Sequence, residues 1–195
     1  PHSVDTEIFF PGKKSKNFSV IYVGRLIKEK GIRDLLEIAR ELDLIEFLIV
    51  GDGPLKNEVV NCGLNNVKYL GYVEHGPELA KLYSNAHICV LNSFKVSKWE
   101  ELYGIVLLEA LSCGTPVIST DCIGPKEIVK PKFGFLVQQR NKEELKKKLI
   151  YVCNNKRSIV KMGRSGRNFI LANYEVRNLA TKWEKVLSEK FYLSN

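Results

Sequence analysis

A chain of 195 residues with 45% hydrophobic side chains can bury a substantial core as one large domain or two small ones. No run approaches the roughly 18 apolar residues of a membrane span, and no basic-then-apolar leader opens the sequence, so neither a spanning protein nor a secreted one is indicated. The formal charge of +8 admits an anionic partner.

Strands and helices alternate almost from the start. Residues 1–16 mix Pro, Gly and Lys without periodicity and read as a linker from a preceding domain, leaving 17–195 as a single domain. The first residue is Pro1 rather than Met, which points to a piece of a longer protein. Residues 19–24 form a short apolar strand, followed by an amphipathic helix over about 31–42 with Ile32, Leu35, Leu36, Ile38, Ala39 and Leu42 inward. Residues 45–50 form a second strand, ended by Gly51-Asp52-Gly53-Pro54, where Pro54 suits the first turn of the next helix. A third strand at 67–70, a helix across 77–85 and a fourth strand at 88–91 follow. Next come a hydrophobic helix from about 104, a strand at 116–119, a short helix near Lys126, a strand at 134–137, and helices at 142–153, 157–173 and 176–191. Strands that are continuously hydrophobic and separated by helices imply an α/β fold, a Rossmann-like parallel sheet covered on both faces. Ligands of such sheets sit at the carboxyl ends of the strands. Gly24 and Arg25, residues 51–53, residues 72–75 and residues 92–103 all fall there.

Two glutamates eight residues apart carry the most information. From Gly104 to Leu111 nearly every side chain is apolar except Glu109, and a helix apolar on all sides is normally buried. A buried carboxylate needs hydrogen-bond partners, so Glu109 must meet some. Glu101 falls just before the helix start, where the N–H groups of Gly104, Ile105 and Val106 lack helical acceptors and make a seat for phosphate or sugar oxygens. The arrangement reads as a sugar-nucleotide pocket.

Other motifs are weaker. Gly51-x-Gly53 lacks the third glycine of a dinucleotide fingerprint, since Lys56 stands in its place, and there is no P-loop. Arg25 and Lys30 bracket a strand-to-helix loop where two cations can clamp a diphosphate, although such residues taken alone are more often surface charges. His2, His75 and His87 are too scattered for a metal site, and His75 reads as an exposed loop histidine. Five cysteines without a C-x-x-C pair suit a reduced, cytoplasmic protein that uses them as small core residues. Between Arg140 and Arg167 ten cations face only Glu143 and Glu144. A solvated helix face is the preferred reading, with an anionic membrane surface as the other; no nucleic-acid motif or aromatic platform accompanies them.

Taken together the pieces resemble the retaining glycosyltransferases of family 4, group 1 transferases of the GT-B type. The matched elements are Ser-Val-Asp-Thr-Glu-Ile-Phe-Phe-Pro at 3–11, Val-Gly-Arg-Leu-x-x-Glu-Lys-Gly-Ile at 23–32 and Val-Gly-Asp-Gly-Pro-Leu at 50–55. Val-Lys-Tyr-Leu-Gly-Tyr-Val at 67–73, Glu-x7-Glu with Ala-Leu-Ser-Cys-Gly-Thr-Pro-Val at 101–117, Gly-Pro-Lys-Glu-Ile-Val at 124–129 and Gly-Phe-Leu-Val at 134–137 complete them. Each piece is weak and the combination specific, and the resemblance spans essentially the whole chain.

What the resemblance implies is the C-terminal, donor-binding half of a GT-B fold. Arg25 and Lys30 would hold the diphosphate of a nucleotide sugar, Glu109 the ribose hydroxyls, and Val73 with its neighbours the base. Glu101, with the amides of Gly104, Ile105 and Val106 and with Gly24 at the first strand's end, would meet the sugar and distal phosphate. No cofactor or metal is expected. A saccharide or lipid-linked acceptor would be supplied through an absent N-terminal domain. Related GT-B epimerases and phosphorylases, or a non-catalytic nucleotide-binding module, are the alternatives. Three departures from the family pattern bear on sugar specificity: Asn92 stands where a proline is usual, residues 94–99 lengthen the loop before Glu101, and His87 replaces an acidic residue.

Overall fold

The computed structural model describes residues 2–192, excluding the side chains of Lys182, Lys185 and residues 189–192. Six strands, β1 (Ser19–Val23), β2 (Glu46–Val50), β3 (Val67–Gly71), β4 (Ile88–Leu91), β5 (Val117–Thr120) and β6 (Gly134–Val137), pair in parallel in the order β3-β2-β1-β4-β5-β6. Every crossover holds one α-helix. These are α1 (Ile32–Glu41), α2 (Lys56–Val60), α3 (Pro77–Asn85), α4 (Ile105–Ser112) and α5 (Ile123–Ile128), while α6 (Lys142–Asn154), α7 (Lys156–Asn173) and α8 (Val176–Tyr192) follow the sheet.

Alternation along the strands divides the core in two. Ile21, Cys89, Leu91 and Val117 face α3, α4 and the later part of α7, in one cluster with Tyr83, Leu107 and Ile170. Val20, Tyr22, Ile88, Val90 and Ile118 face the other way, against Ile32, Leu35 and Ile38 of α1 and Leu145, Leu149 and Val152 of α6. With both faces covered, the central strands contain no exposed residue, as a parallel sheet requires. All five cysteines are free thiols, and Cys89, Cys113 and Cys122 are buried.

The loops at the carboxyl ends of β1 and β2 pack backbone on backbone. Gly51, at φ 132°, lies so close to Gly24 that a Cβ would stand 1.9 Å from the Gly24 carbonyl oxygen. Pro54 does not open α2: it sits in the turn before it, because the Leu55 N–H is drawn back to the Leu26 carbonyl at 2.9 Å and the helix starts only at Lys56. The stretch that reads as a linker lies folded onto this body. Phe9 and Val4 are buried, Val4 pairs with Glu175, and the Arg167 guanidinium reaches the Thr6 and Phe9 carbonyls. On α8, Trp183, Val186 and Leu187 are exposed, whereas the side chain of Phe191 lies outside the described residues.

Candidate functional site

The strand order reverses between β1 and β4, where chain leaves the sheet toward opposite faces and a crevice opens at the carboxyl edge. Arg25 and Lys30 arrive from β1. The first is exposed and has no acidic partner among the described residues; the second ends a short 3-10 turn, Lys28–Lys30. Residues 92–104 arrive from β4. Lys30 Nζ forms an ion pair with Glu101 Oε2, which also accepts from the Ser93 hydroxyl at 3.2 Å, while Glu101 Oε1 accepts from the Gly104 N–H at 3.3 Å. The Glu101 charge also adds to the burial that pushes the Tyr22 phenol well up, and that phenol donates to the Arg25 carbonyl at 2.9 Å. The carboxylate, the two cations and the end of β1 therefore share one neighbourhood.

Gly104 makes the helix start possible. At φ 71° it holds the left-handed conformation, turning the chain sharply into α4 so that Glu101 folds back over the helix end. The N–H groups of Ile105 and Val106 have no acceptor among the described residues. Two of the three amides of the seat are thus open among the described residues, and the third is taken by Glu101.

The longer loop before Glu101 is tied down. Phe94 is buried under the Arg140 guanidinium, 4.4 Å from the ring centre, and its N–H reaches the Glu29 carbonyl at 2.9 Å. Lys95 N–H donates to Gln139 Oε1 at 2.7 Å, and Val96 and Trp99 close a tight antiparallel turn. This brings the Trp99 ring to 5.4 Å from Lys30 Nζ. The two other departures are likewise accounted for. The Asn92 amide donates to the Gly31 carbonyl at 2.6 Å, which a proline cannot do, and His87 Nδ1 accepts the Ser19 N–H at 3.2 Å. Burial, with Lys14 and Lys156 nearby, pushes the His87 imidazole down to about 4, so it is neutral and able to accept.

Glu109, one turn deeper, is 3% exposed. Its Oε2 accepts from the Tyr83 hydroxyl of α3 at 2.8 Å, and its Oε1 lies 3.2 Å from His75 Nε2. Burial pushes its carboxyl up, and Tyr83 and His75 pull against that without winning. His75 is the exposed loop histidine it reads as, its side chain 60% exposed, and its ring also packs 4.9 Å from Phe9 and reaches the carboxylate. It belongs to the loop after β3, two residues beyond Val73, so the proposed base loop and the deep carboxylate adjoin. An apolar hollow of about 290 Å³ lined by Leu102, Tyr103, Ile105 and Leu108 also touches the start of α4, but contains none of the charged groups.

The structure thus gathers Gly24, Arg25, Lys30, Glu101, Gly104, Ile105 and Val106 at one edge, with Glu109 behind them and Val73 beside. Sequence reasoning missed Tyr83, Ser93 and Trp99. Tyr83 follows Leu79 at helical spacing on the inner face of α3, a pattern indistinguishable from plain core until Glu109 is placed against it. Chemically, the edge offers one unpaired guanidinium, a lysine–carboxylate pair, two open amides and a buried carboxylate under a movable imidazole. Those groups suit a ligand with anionic oxygens at one end and vicinal hydroxyls at the other.

Residues 3–169 match the family described as glycosyl transferases group 1. An uncharacterized glycosyltransferase of Methanocaldococcus jannaschii, MJ1178, is 29% identical over 173 residues, covering 86% of this chain and 47% of that protein. The sulfoquinovosyl transferase SQD2 of Arabidopsis thaliana is 26% identical, covering 92% of this chain and 37% of its own length. Among solved structures, sucrose-phosphate synthase from Thermosynechococcus elongatus superposes with a TM-score of 0.87 at 25% identity, over 99% of this chain and 52% of that one. HepE of Anabaena, solved in complex with UDP, superposes with a TM-score of 0.81 at 21% identity over 96% of this chain and 56% of its own. The chain therefore spans about half or less of the proteins it matches, and its sheet is one Rossmann-like half of a GT-B fold. By the family match over most of its length, the chain belongs to the glycosyl transferases group 1.

Proposed function

We propose that this chain is the C-terminal, donor-binding half of a retaining hexosyltransferase of family 4, which binds a nucleoside diphosphate sugar in the crevice between β1 and β4. The observation that supports it most is the pairing of Lys30 with Glu101 beside the two open amides of α4, with Glu109 buried behind. In this reading Arg25 and Lys30 take the diphosphate, and the Ile105 and Val106 amides take its distal oxygens. Their charges and dipoles stabilise the leaving nucleotide. Glu101 accepts from a sugar hydroxyl, and the loop at Val73 lines the base. The ribose hydroxyls reach Glu109 where His75 now stands, so the imidazole swings outward, toward the water that already reaches it.

Carriage of UDP and UDP-glucose by HepE supports a nucleotide-sugar ligand. An acceptor, saccharide or lipid-linked, would be presented by a further domain on the cytoplasmic side, so the chain alone binds donor and transfers little. A thermal-shift panel of UDP, GDP and ADP with their sugars tests the reading: one series at millimolar concentration raises the melting temperature by several degrees. No rise with any of the three would overturn it.

A further inference from the structure

The run of cations between Arg140 and Arg167 divides once partners are traced. Arg167 is bound to the Thr6, Phe9 and Ser112 carbonyls inside the fold. Lys142 and Lys146 pair with Glu37 and Glu41 of α1, and Arg140 and Lys148 lie over the rings of Phe94 and Phe135. Lys147, Lys156, Arg157, Lys161 and Arg164 are exposed and form no ion pair among the described residues, although the Lys147 charge acts on Glu143. Stability of the fold does not explain these five.

They converge on one corner. A single residue, Asn155, separates α6 from α7, so the last turns of one helix meet the first turns of the other. Lys147, Ile150 and Tyr151 share an outer face of α6; Arg157, Val160, Lys161 and Arg164, three or four apart, share one of α7. Val160 is 66% exposed, Tyr151 49% and Ile150 40%. The first turn of α7 carries Lys156 and Arg157 and no acid, the wrong sign for the amino end of a helix dipole. Glu143, the acidic residue one turn before Lys147, is bound by Lys146. Lys156 also acts on His87 at the amino end of β4, which places this corner at the edge of the sheet opposite the crevice.

We propose that the α6–α7 corner docks on the surface of an anionic lipid bilayer. The cations would meet lipid phosphates, and Val160, Ile150 and Tyr151 would enter the headgroup layer between them. A nucleic acid fits less well: its backbone would satisfy the cations, but the patch sets a single aromatic ring, Tyr151, beside the aliphatic Ile150 and Val160, where a stack of aromatic rings would serve unpaired bases. With the crevice at the opposite edge, docking leaves donor binding free.

Sedimentation with vesicles of phosphatidylcholine containing 30% phosphatidylglycerol tests this, against phosphatidylcholine alone. The expected result is binding to the anionic vesicles only, weakened by salt. K156Q/R157Q/K161Q/R164Q should weaken it several hundredfold, at about fivefold per cation. Val160→Ser, which removes the apolar side chain and leaves the charge unchanged, should weaken it without affecting retention of a single-stranded oligonucleotide. Both variants alter exposed side chains, and an unchanged melting temperature and UDP shift confirm that the fold persists. Equal sedimentation with both vesicle types, undiminished binding by the fourfold variant, or retention of the oligonucleotide but not of vesicles would overturn the proposal.

Discussion

Replacing Glu109 by glutamine separates a ligand role from a structural one. The carboxylate is held by a Tyr83 hydroxyl that can turn to accept, and by His75, whose side chain is more than half exposed and can return to water. An amide of the same shape is therefore satisfied by the same partners, and no cation is stranded in the core. The stability cost should stay under about 1.5 kcal/mol. Its pH dependence is also fixed in sign. Because burial raises the carboxyl above its ordinary 4.5, the native protein holds that proton more tightly than the unfolded chain does. The contribution is full below about pH 4.5 and is lost as pH rises through the native value, so Glu109→Gln becomes less destabilising from acid toward neutral pH. Ligand affinity should respond differently. A hydrogen bond to a charged acceptor is lost to the ribose, weakening UDP binding by about 1–3 kcal/mol, roughly 5- to 150-fold. Urea unfolding and calorimetry on the same variant decide. A stability loss of about 3–5 kcal/mol with native affinity per folded molecule would make Glu109 a structural ion-pair residue and refute the ribose assignment.

Arg25→Ala, at an exposed side chain, should leave stability within about 0.5 kcal/mol and weaken UDP binding by about 1.5–3 kcal/mol by calorimetry; unchanged affinity would remove Arg25 from the site. His75→Ala frees the Glu109 carboxylate of an exposed partner that the ribose must displace, so UDP affinity should rise by up to about fivefold. A tenfold loss would instead make His75 a nucleotide contact. Arg167→Met removes a guanidinium that makes four hydrogen bonds, at 2.6, 2.9, 2.8 and 3.0 Å, joining residues 6 and 9 to the end of α4. It should cost about 1.5–3 kcal/mol in urea unfolding, and a cost below about 0.5 kcal/mol would show that the amino-terminal segment is held without it.

Most of the sheet was legible because a parallel strand buried on both faces is a continuous apolar run, and Ile88–Leu91 and Gly134–Val137 stand out between polar turns. Local pattern is least informative where tertiary contacts outweigh it. Pro54 looks like a helix opener until the Leu26 carbonyl draws the Leu55 N–H away. Residues 3–11 have no periodicity because their apolar side chains fill gaps in a core made by other elements: Phe9 packs near Tyr83 and His75, a neighbourhood that no spacing within the segment encodes.

The site was legible to the extent that its parts create needs that one sequence position exposes. A carboxylate inside an apolar helix demands donors, and that demand is visible at Glu109; which donors answer depends on α3 lying against α4 and on the turn after β3, so Tyr83 and His75 were not readable. The same logic separates the two glutamates. Glu101 sits at a helix start, where its partners are nearest neighbours in the crevice and its ion pair with Lys30 is local to the strand ends. Glu109 ties the loop after β3 to the helix instead. A ligand that displaces His75 therefore acts on the loop after β3 as well as on the carboxylate, because the His75–Glu109 contact is a side-chain tie between that loop and α4.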